Sequence, residues 1–296
     1  MATTLVEEIQ SVMSGKGNRA QKSEALIKLG LRPIDVQRLW FTHNLKRRAG
    51  YTAYKIGSLT FGVEIECFGV NKYILQDLMT EKGLVSYISG YSHEDSNNRY
   101  KLAADCSISG DHSCECVTPI LKGKAGENSL KKACDALNQV GASVNRSCGL
   151  HVHFGAEKLS DAHYVRVFKN YQKCERVIDS FLAPSRRGTN NHYCMGLAGI
   201  HFENCQTKRD VRGALHYDRY YKVNAEAYAC HKTIEFRQHQ GTTDYKKIMM
   251  WVQFLRKLIE YSYSNELAAE PATIAELPFI DSEMKTYLQD RAQQLG

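Results

Sequence analysis

The chain lacks any apolar run approaching the ~18 residues a membrane-spanning helix needs, and it lacks the apolar stretch of a secretory signal at its N-terminus. A soluble, cytoplasmic protein with no membrane partner is expected. Cysteine is present, ten in 296 residues, but this falls well short of the roughly 8–10% of disulfide scaffolds. No CxxC pair occurs, and Cys67, Cys114 and Cys116 fall at apolar positions, where a free thiol acts as a small hydrophobe. Reduced core thiols are therefore expected, not disulfides or a zinc site. Three further absences narrow the chemistry: GxxxxGK[ST], GxGxxG opening a helix after a strand, and GxSxG. These exclude a Walker-type phosphate loop, a dinucleotide fingerprint and a hydrolase elbow. No recognisable Cys/His protease frame, internal repeat or low-complexity tract is found either.

What remains is ordinary globular material, 43% hydrophobic and 24% charged, enough for one large domain or two modest ones. The net charge of +7 is unevenly placed. Residues 1–58 hold ten Lys/Arg against four acids, so they carry +6, and the other 238 residues carry +1. Such a shift marks a boundary. Ala25, Leu26, Leu29 and Leu31 keep helical spacing, Gly30 is a natural stop, and Pro33 suits the first turn of a second helix bearing Ile34, Val36, Leu39 and Trp40. The expectation is a small basic helix–turn–helix-like unit over 1–42 and a basic linker over 43–58. Nucleic acid is a partner such a unit could take through phosphates; a docking or solubilising appendage is the alternative.

The chemistry begins at Leu59. In LTFGVEIECF, Phe61, Val63, Ile65 and Cys67 alternate with Gly62, Glu64 and Glu66, the period of a half-buried strand with two carboxylates about 7 Å apart on one face. CECVTPIL repeats the pattern with Glu115 between Cys114 and Cys116, after Asp105 and a turn-rich stretch. SCGLHVHFGA puts His151 and His153 opposite Leu150, Val152 and Phe154. TIEFRQHQ reads with Thr233, Glu235, Arg237 and His239 on one face and Ile234 and Phe236 on the other. Each strand alone is ordinary on a solvated sheet. Together they offer oxygen donors with imidazole, a set that suits Mg²⁺ or Mn²⁺ better than zinc. An arginine among carboxylates makes sense if phosphate is bound too.

FGVEIE, CECVTPIL, SCGLHVHFG, APSRRGTNNHYC and TIEFRQHQGT, in this order over roughly residues 59–260, resemble the phage and bacterial amidoligase family of carboxylate–amine ligases with the glutamine synthetase-like fold. The resemblance implies an ATP-dependent ligase with metal ligands Glu64, Glu66, Glu115, His151 and Glu235. It places Arg237 on phosphate oxygens and His153 near nucleotide or substrate. Arg186, Arg187, Asn191 and Tyr193 match a segment that meets nucleotide or substrate. It also implies an α+β fold, a curved antiparallel sheet with helices from about 127–140, 160–182 and 244–264 on one face, as a catalytic domain over 59–264 before a helical tail at 265–296. Full glutamine synthetases carry two glutamates where this chain shows only Glu115 clearly; Asp105 is a candidate for the second.

The expected reaction is amide formation from a carboxylate and an amine through an acyl phosphate, with ATP and Mg²⁺ (or Mn²⁺) as cofactors. His239 is a candidate for the base that takes the amine's proton. A metal-dependent phosphotransferase or hydrolase on the same sheet, and a non-catalytic nucleic-acid-binding protein, are the alternatives.

Overall fold

The structure is a computed structural model that describes residues 5–33, 35–36, 59–90 and 98–295. It divides into two compact units, Met1–Tyr54 and Lys55–Gly296. In the first, α1 (Leu5–Ser14) and α2 (Arg19–Lys28) close on Leu26 and Val36, with Ile9, Val12, Met13 and Leu31 packed around them. Asn18 and Gln21 form a reciprocal capping box that starts α2, and Gly30 ends the turn at φ +93°, a conformation that favours glycine. The apolar positions Ile34, Leu39 and Trp40 and the linker at 43–58 lie outside the described residues.

The second unit is a mixed α+β structure built on one open seven-stranded sheet of order β2-β3-β4-β1-β5-β7-β6. Its strands are β1 (Phe61–Cys67), β2 (Ser86–Ile88), β3 (Tyr100–Ala103), β4 (Cys114–Val117), β5 (Gly149–Gly155), β6 (Val223–Asn224) and β7 (Thr233–Gln240). All neighbours pair antiparallel except β2 and β3, which run parallel. The wholly antiparallel sheet expected from sequence is thus corrected at this edge. A parallel pair cannot be joined by a two-residue turn, and eleven residues stand between the two strands in the sequence. Three residues long, β2 is too short to show a period.

The apolar stripes of β1, β4, β5 and β7 form one buried face. Phe61, Val63, Ile65, Cys116, Leu150, Val152, Phe154 and Phe236 are essentially inaccessible. Three long helices cover it: α4 (Gly123–Gln139), α5 (Asp161–Phe181) and α8 (Tyr245–Tyr261), with α3 (Lys72–Glu81) before β2. Ser160 caps α5 and Asp244 caps α8, each accepting from the backbone N–H three residues on. Tyr171 of α5 packs on Phe236, and the Arg256 guanidinium of α8 lies over Phe61. Two short helices, α6 (Lys208–Ala214) and α7 (Ala227–His231), flank β6, and α9 (Ser282–Leu295) packs on α5. All ten cysteines are free thiols, eight of them buried, as their apolar positions suggest. Among the described residues no helix is long and apolar enough to cross a membrane.

One buried ionic knot ties these layers together. Lys222, just before β6 and fully buried, sets its Nζ 2.7 Å from both Glu175 Oε1 and Asp179 Oδ1 of α5. Glu175 Oε2 accepts from Leu197 N and Asp179 Oδ2 from Gly188 N, so α5 holds the 184–197 segment. Removing the cation alone strands two carboxylates. Lys222→Met is expected to cost about 3–5 kcal/mol of stability, read from urea unfolding; a loss below about 1 kcal/mol would show that solvent already screens the pair.

Candidate metal and phosphate site

The opposite face of the sheet carries the polar residues, and strand register brings them into contact. Glu66 stands across from Glu115, Glu64 across from His151, and His153 across from Glu235. His151 Nδ1 lies 2.9 Å from Glu64 Oε2 and 3.5 Å from Glu235 Oε1, and its Nε2 lies 3.4 Å from Glu66 Oε1. His153 Nε2 is 3.2 Å from Glu64 Oε1 and 3.8 Å from Glu235 Oε1. Despite that proximity, Nε2 lacks the alignment of a hydrogen bond and is a buried polar atom without one. Its Nδ1 meets Thr233 Oγ1 at 3.0 Å.

Three overlapping groups have donor atoms within 4.8 Å of one another: Glu64, Glu115 and His151; Glu64, His153 and Glu235; and Glu66, Asp105 and Glu115. Glu64 belongs to two of them. Asp105, in the loop after β3, thus stands beside Glu115 and Glu66. Two further partners are not legible in the sequence. Asn224 of β6 donates Nδ2–H to Glu235 Oε2 at 2.5 Å, from a strand of two residues that shows no period. Gly149 N donates to Glu66 Oε2 at 2.5 Å. A Cβ at Gly149 would come 3.0 Å from His151 Nε2 and 3.3 Å from the terminal nitrogens of Arg186, so a side chain here would press on both.

The electrostatics are those of crowded like charge in a dry place. Burial, and then the charges of Glu64, Glu66 and Asp105, push the Glu115 carboxyl well above the usual carboxylate range, with Lys101 opposing. Lys101 is itself buried and faces the same side, across β4 from Glu64's row. Burial also works against ionising Glu64, but the hydrogen bond with His151 and the nearby His153 ring outweigh it and hold that carboxyl well down. Burial lowers His153, and the carboxylates Glu235 and Glu64 more than restore its proton affinity. The donor set fits a divalent cation: oxygen-rich, with imidazole, mutually repelling, and with one buried ring nitrogen unsatisfied.

The arginines divide. Arg237 projects into the cluster, donating from Nη1 to Glu235 Oε1 at 2.5 Å and from Nε to the Tyr193 carbonyl at 3.3 Å. Arg186 is buried beside Gly149, with Nη2 on the Cys148 carbonyl at 2.5 Å. Arg187 instead donates to the carbonyls of Leu182 and Leu295, holding the end of α9. Asn191 braces its own loop, donating to Ser185 O and accepting from Tyr193 N. Neither Arg187 nor Asn191 hydrogen-bonds to the clustered carboxylates or histidines; the partners of both are backbone groups.

His239 departs most clearly from the sequence pattern. Val152 pairs with Phe236 but Leu150 pairs with His239, so β7 holds one extra residue there. This bulge reverses the alternation and turns His239 to the helix-covered face, where its ring lies 5.6 Å from that of Trp251. It does not share the face of Glu235, and the placement expected from alternation is corrected accordingly. Burial drives its imidazole down to about 3, against about 6.5 in an unfolded chain. The unfolded chain therefore takes up a proton that the folded protein refuses, so this contribution is complete above pH ~6.5 and is lost as pH falls toward 3. His239→Leu is expected to shrink the loss of stability between about pH 7 and pH 4.5 in urea unfolding; an unchanged difference would place the acid sensitivity elsewhere.

No curated protein matches the chain. A family model described as "putative amidoligase enzyme" matches residues 57–259, a span that holds every strand of the sheet and all the clustered acids and histidines. With more than two-thirds of its length under that match, the chain belongs to the amidoligase family, a family of ligase-type enzymes.

Proposed function

We propose that the protein is an ATP-dependent carboxylate–amine ligase of glutamine synthetase-like fold, working with Mg²⁺ or Mn²⁺ on the polar face of its sheet. The observation that supports this most is the overlap of three donor groups through Glu64 and Glu115, beside an arginine, on four adjoining strands. Glu64, Glu66, Glu115, His151 and Glu235 would hold the ions, with Asp105 supplying the second acid beside Glu115. Bound divalent ions neutralise phosphate charge and orient the phosphoryl group.

A carboxylate carbon is too electron-rich for direct attack by an amine at neutral pH. Transfer of the γ-phosphoryl group of ATP to a carboxylate oxygen creates an acyl phosphate and releases ADP; attack of the amine then forms the amide and expels phosphate, the amine's proton passing to solvent or to the departing phosphate. Such transfer depends on positioning and on stabilising charge that spreads over the phosphoryl oxygens. Arg237 suits this role, because its Nη1 reaches the cluster while Nε is held by the Tyr193 carbonyl. His153, fixed through Nδ1 by Thr233, presents Nε2 to the same space. The basic segment 1–58 suits a polyanionic partner such as nucleic acid.

The reading is tested by ATP turnover against pooled carboxylates and amines, followed by mass. The expected result is ADP and phosphate released only when both are present, with a product equal in mass to their sum less water. Release with neither or only one would favour a phosphotransferase or hydrolase.

A further inference from the structure

Beside Arg237 the rim of the site is aromatic, and neither metal binding nor phosphoryl transfer calls for it. His192, Tyr193 and Tyr220 pack as a trio, with ring centroids 5.4 Å (His192–Tyr193), 5.1 Å (His192–Tyr220) and 5.6 Å (Tyr193–Tyr220) apart. Such rings usually serve a core, yet Tyr193 is 47% exposed and His192 is exposed as well. The backbone holds them firmly. Met195 N donates to Tyr220 O, Lys222 N to Met195 O and Arg237 N to Lys222 O, so the trio rides on strand-like pairing that ends at Arg237 itself. Two guanidinium groups flank Tyr220, Arg219 at 5.1 Å and Arg237 at 5.9 Å from its ring centroid.

We propose that this rim is a stacking subsite for the flat ring of an anionic ligand whose charged group lies at Arg237. An exposed aromatic surface flanked by cations offers face contact to a planar group and charge complementarity to an anion next to it, the combination by which proteins hold bases beside phosphates. An aliphatic ligand would leave the rings in water. The inference rests on the proposed function for the anion at Arg237 and adds the chemistry of the group attached to it. Two sources share that chemistry: the base of the nucleotide, or a ring-bearing acid substrate.

Calorimetry in Mg²⁺ with matched probes separates the sources. One arm compares ATP with inorganic tripolyphosphate, which has the phosphates and no base. The other compares orotate, a ring carboxylate, with succinate. The variants are Tyr193→Ala, at an exposed ring, and Tyr220→Leu. In the wild type the ring-bearing member of one pair should bind about tenfold more tightly, and each variant should erase most of that advantage while leaving the ringless member unchanged. The ATP arm responding identifies the base; the orotate arm responding identifies the acid. No ring preference in either arm, or a preference that both variants retain, overturns the subsite. Failure of ATP and tripolyphosphate alike to bind would contradict the nucleotide-dependent function instead, while the orotate arm would still decide the rim.

Discussion

Replacing Glu64 with glutamine is expected to lower turnover by at least about 10³-fold, the rate equivalent of the several kcal/mol that a bound ion contributes to a charged transition state. Glu64 is the position where the loss should be largest, because it is shared by two of the donor groups and contacts both histidines. Glutamine keeps the size and one carbonyl oxygen but loses the charge, so strand pairing to His151 and Val117 through the backbone is retained. Mn²⁺ binding followed by electron paramagnetic resonance should weaken together with turnover. A variant that still binds Mn²⁺ with wild-type affinity would remove Glu64 from the metal site.

The second large effect is expected at Arg237. Lysine in its place keeps a positive charge but loses the planar fork that can follow two phosphoryl oxygens at once. If the fork acts as charge spreads in the transition state, the loss should be about 3–4 kcal/mol, or roughly 10²–10³ in turnover. Affinity for ATP in the ground state should fall far less, since it draws on contacts formed before the transfer. Arg237 already pairs with Glu235 at 2.5 Å, and a purely structural role for that pair has different consequences. Lysine would then keep much of the activity and lower the thermal midpoint. Turnover, ATP affinity and thermal unfolding measured on the same preparation separate the two; equal, small losses of turnover and affinity would take Arg237 out of the mechanism.

Length and regularity decide which parts of the molecule are legible in the sequence. Strands β1 and β5 keep an unbroken period of two over seven residues each, so the faces of Glu64, Glu66, His151 and His153 follow from alternation alone. The helices expected at about 127–140, 160–182 and 244–264 correspond to Gly123–Gln139, Asp161–Phe181 and Tyr245–Tyr261, because each buries a stripe long enough to show its period. Strand β7 starts with the same regularity, and its alternation extrapolates to His239. The bulge that breaks it is set by pairing with β5, a tertiary constraint that leaves no mark on the local pattern. Arg186 and Arg187 are neighbours with the same chemistry, yet one packs beside Gly149 and the other holds the end of α9. Nothing in their spacing distinguishes them; the 3₁₀ turn Pro184–Arg186 does, by directing successive side chains apart. Asn224 and Lys101 join the polar face from strands of two and four residues, too short to announce a face.

This face is expected to bind ATP only through divalent cations, because a triphosphate brought against the ionised Glu64 and Glu235 would otherwise meet like charge. Isothermal titration of ATP into the protein, in Mg²⁺ and again in excess chelator, reads that dependence without needing either substrate. Saturable binding in Mg²⁺ and none in chelator is the expected result. Undiminished affinity in chelator would contradict a metal-bridged phosphate site.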